Sequence, residues 1–167
     1  MKINDEFKWG DRVYPVEHED CDDFRLLPRD KITQARAICF RDGKLLLGFG
    51  GSQKEWSFIG GTIEKGESIP ETLAREVKEE SNHEVVEWKP ISYQKSVDAN
   101  GNEIYQVRVW CRVKPIGKFA GDPDKAIEKI ELVEPADYKK YVNWGRVGDR
   151  LMERAVEIEK VRQLLRR

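Results

Sequence analysis

The feature that most constrains the fold is a helix-spaced segment from Ser68 to Asn82, which joins two apolar, hairpin-like regions. Ser68 and Glu71 have the spacing of a capping box, and Pro70 stands in the first turn, where its missing N–H costs no hydrogen bond. Asn82 suits the left-handed residue that ends a helix. The segment therefore predicts a short helix with defined ends, whose apolar side must pack on another element.

The predicted helix carries three carboxylates beside its apolar stripe. At 100° per residue, Glu76, Glu79 and Glu80 fall within an arc of about 100°, next to Leu73 and Val77. Carboxylates held this close raise one another's pKa unless a cation compensates them. Mg²⁺ prefers oxygen ligands and accepts a few carboxylates together with water and substrate phosphates. The helix therefore indicates a metal site suited to phosphate esters.

A glycine turn and an ion pair are expected to complete this site. At Gly60-Gly61 a backbone carbonyl or N–H can approach a metal ion or a phosphate without a side chain intervening. Arg75 is placed to pair with Glu67 and to hold the loop against the helix. The competing interpretation is a solvated acidic helix face, which would ordinarily be preferred in a glutamate-rich chain.

The spacing is more particular than a solvated face requires. Residues 61–80 fit G-x5-E-x7-R-E-U-x-E-E, where U is aliphatic, and the pattern resembles the signature of the Nudix hydrolase family. A chance match is on the order of 10⁻⁵ for independent residues, which favours the family over the acidic face. The preceding segment, residues 56–61, also resembles the family, although a proline commonly stands where Ile59 is. The resemblance covers about residues 33–160.

Two residues depart from the family signature after its last glutamate. Asn82 stands where glycine is usual, and His83 stands where an aliphatic residue is usual. Asparagine tolerates the left-handed conformation, so the helix end is expected to be preserved. We expect His83 to be a partly exposed histidine and not a ligand. Neither change removes a carboxylate.

The resemblance implies a metal-dependent hydrolase that cleaves a diphosphate linkage in a nucleoside diphosphate derivative, with Mg²⁺ or Mn²⁺ as cofactor. By position in the motif, the expected metal ligands are Gly61, Glu76, Glu79 and Glu80. The catalytic candidates are Arg75, Glu79 and Glu128. The general base stays open between a glutamate of the motif and an acidic residue in a later loop, and a plain surface role for Glu128 is an equal alternative. No motif indicates the substrate-binding residues.

Two other classes of function remain open at this stage. A Nudix-fold module that binds or senses a nucleotide without turnover would have no need of mutually repelling carboxylates. An interaction scaffold would depend on the terminal helix predicted at residues 147–167, whose apolar stripe is expected to face the core. A titration of pyrophosphatase activity with Mg²⁺ separates the three.

Two hairpins flank the predicted helix. Asp42-Gly43 and Asn100-Gly101 are strong turn signals between apolar runs. The strands are predicted at residues 35–40, 44–49, 91–97 and 104–113. In the last of these, alternation predicts one face more buried than the other. The order of elements predicts an α/β fold, and the resemblance implies a Nudix-type α/β/α sandwich with a mixed β-sheet between helices.

The first 32 residues lie outside the resemblance. They are acid-rich, yet they contain apolar residues, namely Phe7, Trp9, Val13, Tyr14, Val16 and Phe24. This is too much apolar surface for a solvated tail. We predict an N-terminal arm at 1–32 that packs on the domain or on a partner near the substrate cleft, with the Nudix hydrolase domain at 33–167. An extension without a role is the alternative.

Composition excludes several classes of protein. The 30 basic and 31 acidic residues leave a net charge of −1, which makes a nucleic-acid partner unlikely. No apolar run approaches the roughly 18 residues needed to span a bilayer. The cysteines, Cys21, Cys39 and Cys111, form no C-x-x-C pair and are expected to be small core residues. We expect a cytoplasmic protein that acts on a small molecule and does not bind membranes, with a homodimer left open.

Overall fold

The chain folds into a mixed β-sheet with one long helix on each face, described here from a computed structural model. The description covers residues 1–9, 11–124 and 126–165, without the side chains of Phe7, Lys8, Trp9 and Arg12. The strands are β1 Lys2–Trp9, β2 Arg12–Asp20, β3 Ile32–Arg41, β4 Lys44–Gly50, β5 Glu55–Ser57, β6 Ile59–Thr62, β7 His83–Val97, β8 Glu103–Pro115 and β9 Ile127–Val133. The helices are α1 Ile69–Ser81 and α2 Gly145–Leu164, and 3₁₀ turns span Phe24–Leu26, Arg29–Lys31 and Pro135–Lys140.

The sheet is mixed because β3 and β8 run parallel, whereas the other strand pairs of the described residues are antiparallel. The main strand order is β1-β2-β7-β8-β3-β4-β5, with β6 paired to β3 and β9 paired to β4. The parallel pair requires a crossover, and α1 lies within that connection. The predicted α/β architecture, a mixed sheet between helices, is confirmed.

Each helix covers its own core. Leu73 and Val77 of α1 pack against one face of β3 and β8, whereas Leu151 and Ala155 of α2 pack against the other. β8 is therefore buried on both faces from Val107 to Val113. The expected difference between the two faces holds at the start of the strand, where Tyr105 is buried and Ile104 and Gln106 are only partly buried. It is lost from Val107 to Val113, because alternation along a single strand does not show that a second helix covers its polar side.

Local signals set the ends of α1 as expected. Ser68 and Glu71 form a reciprocal capping box, and Asn82 adopts the left-handed conformation at φ 54° and ψ 43°. Asp42 and Gly43 also have positive φ, at 52° and 80°, which a two-residue turn between β3 and β4 requires.

Strands β7 and β8 are longer than predicted, and β7 begins immediately after Asn82.

The N-terminal segment forms a hairpin that extends the sheet. β1 pairs with β2, and β2 pairs with β7 from Glu17 to Asp20. Helix α2 holds this hairpin through Arg150, whose Nη2 lies 2.6 Å from a carboxylate oxygen of Asp20. The Phe7 and Trp9 side chains, on which the prediction of a packed arm partly depended, lie outside the described residues.

Helix α2 begins two residues before its predicted start. The apolar stripe predicted for this helix contains Leu151, Ala155 and Leu165. The first two face the core as expected, but Leu165 is 71% exposed, so the buried stripe ends before this residue. Arg166 and Arg167, the last two residues of the predicted helix, lie outside the described residues. The buried carboxylate of Glu159 accepts a hydrogen bond from Trp110 Nε1 at 3.2 Å, which links α2 to β8.

The three cysteines are buried and unpaired, as expected. Cys39 and Cys111 are register partners in the parallel pair of β3 and β8, where they pack with α1. Across the described ranges, neither α1 nor α2 combines the length and the apolar character that a bilayer crossing requires.

Candidate active site

Arg75 joins the loop after β6 to helix α1. Its Nε lies 2.7 Å from Glu67 Oε1, its Nη2 donates to the Thr62 carbonyl at 3.0 Å, and its Nη1 lies 2.9 Å from Glu76 Oε1. Hydrogen bonding from Arg75 lowers the pKa of Glu67 to about 2. The predicted Arg75–Glu67 pair is therefore present, and Arg75 also reaches Glu79 at 3.4 Å.

The three motif carboxylates lie in different environments. Glu80 is 9% exposed, and its Oε2 accepts the Gly60 N–H at 2.8 Å. Burial raises the pKa of Glu80 to about 7, and burial also raises the pKa of Glu76. The side chain of Glu79 is more accessible, at 32% exposed. The helix therefore presents two desolvated carboxylates and one open to solvent.

The glycine turn fits closely between β3 and the carboxylates. Gly60 has φ of +132°, and a Cβ there would lie 2.3 Å from the Ala35 carbonyl oxygen. A Cβ on Gly61 would lie 2.5 Å from Glu76 Oε1. At Gly60 the obstructing atoms are backbone, so only glycine fits there, whereas at Gly61 a side chain would displace the Glu76 carboxylate. The Gly61 backbone thus lies directly against a carboxylate of the predicted metal site.

The donor set fits a hard divalent cation. In the described ranges, no three His, Cys, Asp or Glu side chains are already arranged as a metal cluster. Arg75 contacts the carboxylates of Glu76 and Glu79, and the Glu80 carboxylate accepts the Gly60 N–H. The three carboxylates therefore do not converge on one point. The buried Glu80 and the half-buried Glu76 nevertheless have raised pKa values, and the Gly61 backbone lies against Glu76. A cation bound among these oxygens would compensate this unfavourable charge.

Glu128 lies apart from the motif carboxylates. Its side chain is 46% exposed and forms an ion pair with Lys54. Its neighbours Ala126 and Ile127 line the cleft described below, but Glu128 does not. The structure thus brings Gly61, Arg75 and the three motif glutamates together and leaves Glu128 outside the group.

The expectation for His83 was wrong. His83 is 1% exposed, and its Nδ1 lies 2.8 Å from the Ser81 carbonyl oxygen. Burial lowers the pKa of His83. Because β7 begins at this residue, the imidazole occupies the interior position where the family signature has an aliphatic side chain.

A cleft of about 860 Å³ opens beside Glu80 and Gly60, on the α2 side of the sheet. Its polar floor is formed by side chains from β3, β7 and β8, namely Gln34, Arg36, Gln94, Gln106 and Arg108. Trp56 and Trp144 line its walls, and Asp5, Glu6 and Val16 contribute from the N-terminal hairpin. This cleft can hold a polar ligand of nucleotide size next to Glu80.

Sequence reasoning missed Arg36, Arg108 and Asp122. Arg108 interrupts an apolar strand, and a buried arginine is unusual enough to have served as a signal. Asp122 is 7% exposed and accepts the backbone N–H of Asp124 and Ile127 at 2.9 and 3.1 Å, which shapes the loop before β9. Its charge helps to raise the pKa of Glu80.

Comparisons with known proteins agree with this geometry. A family model described as NUDIX domain matches residues 30–152. A solved mutant of the Bacillus subtilis pyrophosphohydrolase BsRppH is 24% identical, covers 77% of each chain and has a TM-score of 0.61. A NUDIX hydrolase from Nitrosomonas europaea is 20% identical over 74% of this chain and 86% of that chain, with a TM-score of 0.56.

An ADP-ribose pyrophosphatase from Streptococcus suis is 20% identical over 77% of this chain and 91% of that chain, with a TM-score of 0.51. At these identities, the structural likenesses establish the fold. A search of curated proteins found no match.

The buried charge of Glu80 predicts a stability gain in the variant Glu80→Gln. The pKa of Glu80 is about 7 in the folded protein, against its ordinary value of 4.5. Between these pH values the unfolded chain loses the proton first, so metal-free wild type loses stability as the pH rises through this window. At pH 8, in chelator, Glu80→Gln should raise the free energy of unfolding by about 1–3 kcal/mol.

Urea unfolding at pH 5 and pH 8 measures this difference, and the gain should shrink at pH 5. Glu79→Gln, at the more exposed neighbouring position, is the matched control and should gain less. An equal gain in the two variants at pH 8 would show that burial of Glu80 does not strain the metal-free fold.

Proposed function

The chain belongs to the Nudix hydrolase family, and from this membership we propose that it is a metal-dependent enzyme that cleaves a diphosphate linkage in a nucleoside diphosphate derivative. The family model spans well over half of the chain, at residues 30–152. The expected enzyme class, a Nudix-type pyrophosphohydrolase acting on phosphoric anhydrides, is thereby confirmed at the level of the family. Metal dependence, the site residues and the substrate are the parts proposed here.

The observation that carries the proposal is the group of carboxylates around the glycine turn. Glu76, Glu79 and Glu80, with the Gly61 carbonyl, would hold the metal ion. Mg²⁺ or Mn²⁺ bound there supplies charge for the phosphate oxygens and lowers the pKa of a coordinated water. A binding module without turnover would gain nothing from two carboxylates whose desolvation raises their pKa, so their presence supports catalysis.

The remaining residues of the site position the reactants. Arg75 keeps the loop of residues 62–67 on α1 through Glu67 and the Thr62 carbonyl, which fixes the distance between the glycine turn and the glutamates. Trp56 and Trp144 offer aromatic surfaces along the cleft on which a base can stack.

We assign the general base to Glu79. It is the most solvent-accessible of the three motif carboxylates, and a base must exchange its proton with water after each turnover. Glu128 is the alternative, and to serve it would have to leave its ion pair with Lys54.

We propose that the N-terminal segment, residues 1–32, contributes to substrate specificity. Asp5, Glu6 and Val16 of the hairpin line the same cleft as Glu80 and Gly60. The carboxylates of Asp5 and Glu6 can accept hydrogen bonds from hydroxyl or amino groups of a ligand. Their negative charge disfavours further phosphate groups at this end of the cleft, next to the hairpin. The hairpin would therefore contact the nucleoside or its attached group, while the domain at 33–167 holds the diphosphate.

Removing charge from the motif should abolish most of the activity. Glu76→Gln and Glu80→Gln each remove a negative charge at nearly constant volume, so each should lower kcat by at least about a hundredfold while the fold persists. Hydrolysis of a nucleotide panel at saturating Mg²⁺ measures the effect. Glu84→Gln, at an exposed glutamate paired with Lys114, is the control and should keep wild-type turnover. Near-normal turnover in both motif variants would refute the metal assignment.

The hairpin proposal is tested by the double variant Asp5→Asn/Glu6→Gln. Loss of two charged acceptors should raise KM by at least about threefold and leave kcat within about twofold, because the hairpin lies away from the reacting atoms. Asp11→Asn, an exposed acid of the same segment outside the cleft lining, serves as the control. A KM equal to that of wild type across the nucleotide panel would show that the hairpin is structural only.

A further inference from the structure

Two arginines lie side by side on the floor of the cleft. In the strand register, Gly60 of β6 pairs with Arg36 of β3, and Arg36 pairs with Arg108 of β8. Adjacent strands are about 4.8 Å apart, so this row begins at the glycine turn and leads away from the motif carboxylates. Side chains of register partners share a face, and here that face is the floor of the cleft.

Arg108 is buried without a carboxylate partner. It is 4% exposed, and its guanidinium donates to the Val107 carbonyl at 3.3 Å and to Gln106 Oε1 at 3.1 Å. The guanidinium carbon also lies 5.9 Å from the centre of the Trp144 ring. These acceptors are neutral, and no ion pair of Arg108 exists within the part of the chain described.

Arg36 adds a second positive charge to the floor, where it partly offsets the rise in pKa that burial causes at Glu76 and Glu80. Its Nη1 donates to the Phe58 carbonyl at 3.2 Å, and it too forms no ion pair among the described residues. Burial, with a smaller effect of Arg36, lowers the pKa of Arg108 to about 9. Buried arginines in stable proteins are normally paired, so the unpaired Arg108, with the half-buried Arg36 beside it, represents a cost in folding free energy that the ligand-free protein does not explain.

We propose that Arg36 and Arg108 form an anion subsite that binds the phosphate oxygens of the substrate. A guanidinium donates two parallel hydrogen bonds to such oxygens, and the anion supplies the missing counter-charge. The row assigns Arg36 to a phosphate beside the glycine turn and Arg108 to oxygens one strand further along, so the phosphate chain crosses from β6 towards β8. The inference deepens the proposed function, because it assumes that the cleft receives a diphosphate.

Gln106 would act as a positioning residue for this subsite. Its Oε1 holds Arg108, and Gln106 itself lines the cleft two residues earlier on the same strand face. Gln106 fixes the guanidinium without neutralising it, which leaves the charge available to a ligand.

The test uses Arg108→Met, which keeps an unbranched stem and removes the charge. Binding of inorganic pyrophosphate is measured by calorimetry in chelator, so that the readout depends neither on metal nor on turnover. We expect wild type to bind pyrophosphate and Arg108→Met to bind it at least about tenfold more weakly. Arg25→Met, at an exposed arginine away from the cleft, is the control and should bind as wild type does.

The melting temperature of the ligand-free protein provides the second readout. Because the buried charge is unpaired, Arg108→Met should melt at or above the wild-type temperature, with a gain of about 2–4 °C for each kcal/mol relieved. Weaker pyrophosphate binding without a loss of stability supports the subsite. Unchanged binding, no binding to wild type, or a variant that melts lower or does not fold overturns it, since the last two would mark Arg108 as a structural residue.

The two proposals fail in different ways. If the protein hydrolyses no nucleotide with Mg²⁺ but the pyrophosphate results hold, the proposed function fails and the anion subsite stands. If Mg²⁺-dependent hydrolysis is present and Arg108→Met keeps wild-type pyrophosphate affinity, the subsite fails and the proposed function stands.

Discussion

The contact on which the site depends is the hydrogen-bonded cluster centred on Arg75. One guanidinium holds a loop carboxylate, a loop carbonyl and a carboxylate of the helix, through Glu67, Thr62 and Glu76. Thr72 Oγ1 of α1 also donates to Glu67 at 2.8 Å, so loss of Arg75 would weaken the attachment of the loop to the helix without abolishing it. Arg75 also contacts Glu79, so in the metal-free protein it supplies part of the positive charge that the helix face requires.

The cleft combines two sets of charges that the free protein leaves poorly compensated. At one end Glu80 is buried with a raised pKa, and further along the floor Arg36 and Arg108 are unpaired. Glu80 lies on α1 and the two arginines lie on β3 and β8, and no ion pair joins the two sets among the described residues. A cation at the first and phosphate oxygens at the second would compensate both, and stability given up in this way is expected where a protein binds a charged ligand.

The sequence predicts well those features that depend on residues close together in the chain, such as helix ends and tight turns. The ends of α1 follow from Ser68 and Asn82, and the β3–β4 turn follows from Asp42-Gly43, because capping and turn preferences act within a few residues. The motif glutamates share a helix, so their proximity is also local. The convergence of Arg36 on β3 with Arg108 on β8, strands that are far apart in the sequence, depends on the parallel register. The burial of His83 depends on how β7 leaves the helix. Neither the arginine pair nor the buried histidine can be predicted from a short stretch of sequence.

The most direct test of the account is a titration with Mn²⁺ followed by electron paramagnetic resonance, comparing wild type with the double variant Glu76→Gln/Glu80→Gln. Mn²⁺ prefers the same oxygen ligands as Mg²⁺, and its free and bound forms are distinguishable by signal. The account predicts saturable binding to wild type and at least about tenfold weaker binding to the variant. Equal affinity in the two proteins would contradict it, because the ion would then bind elsewhere.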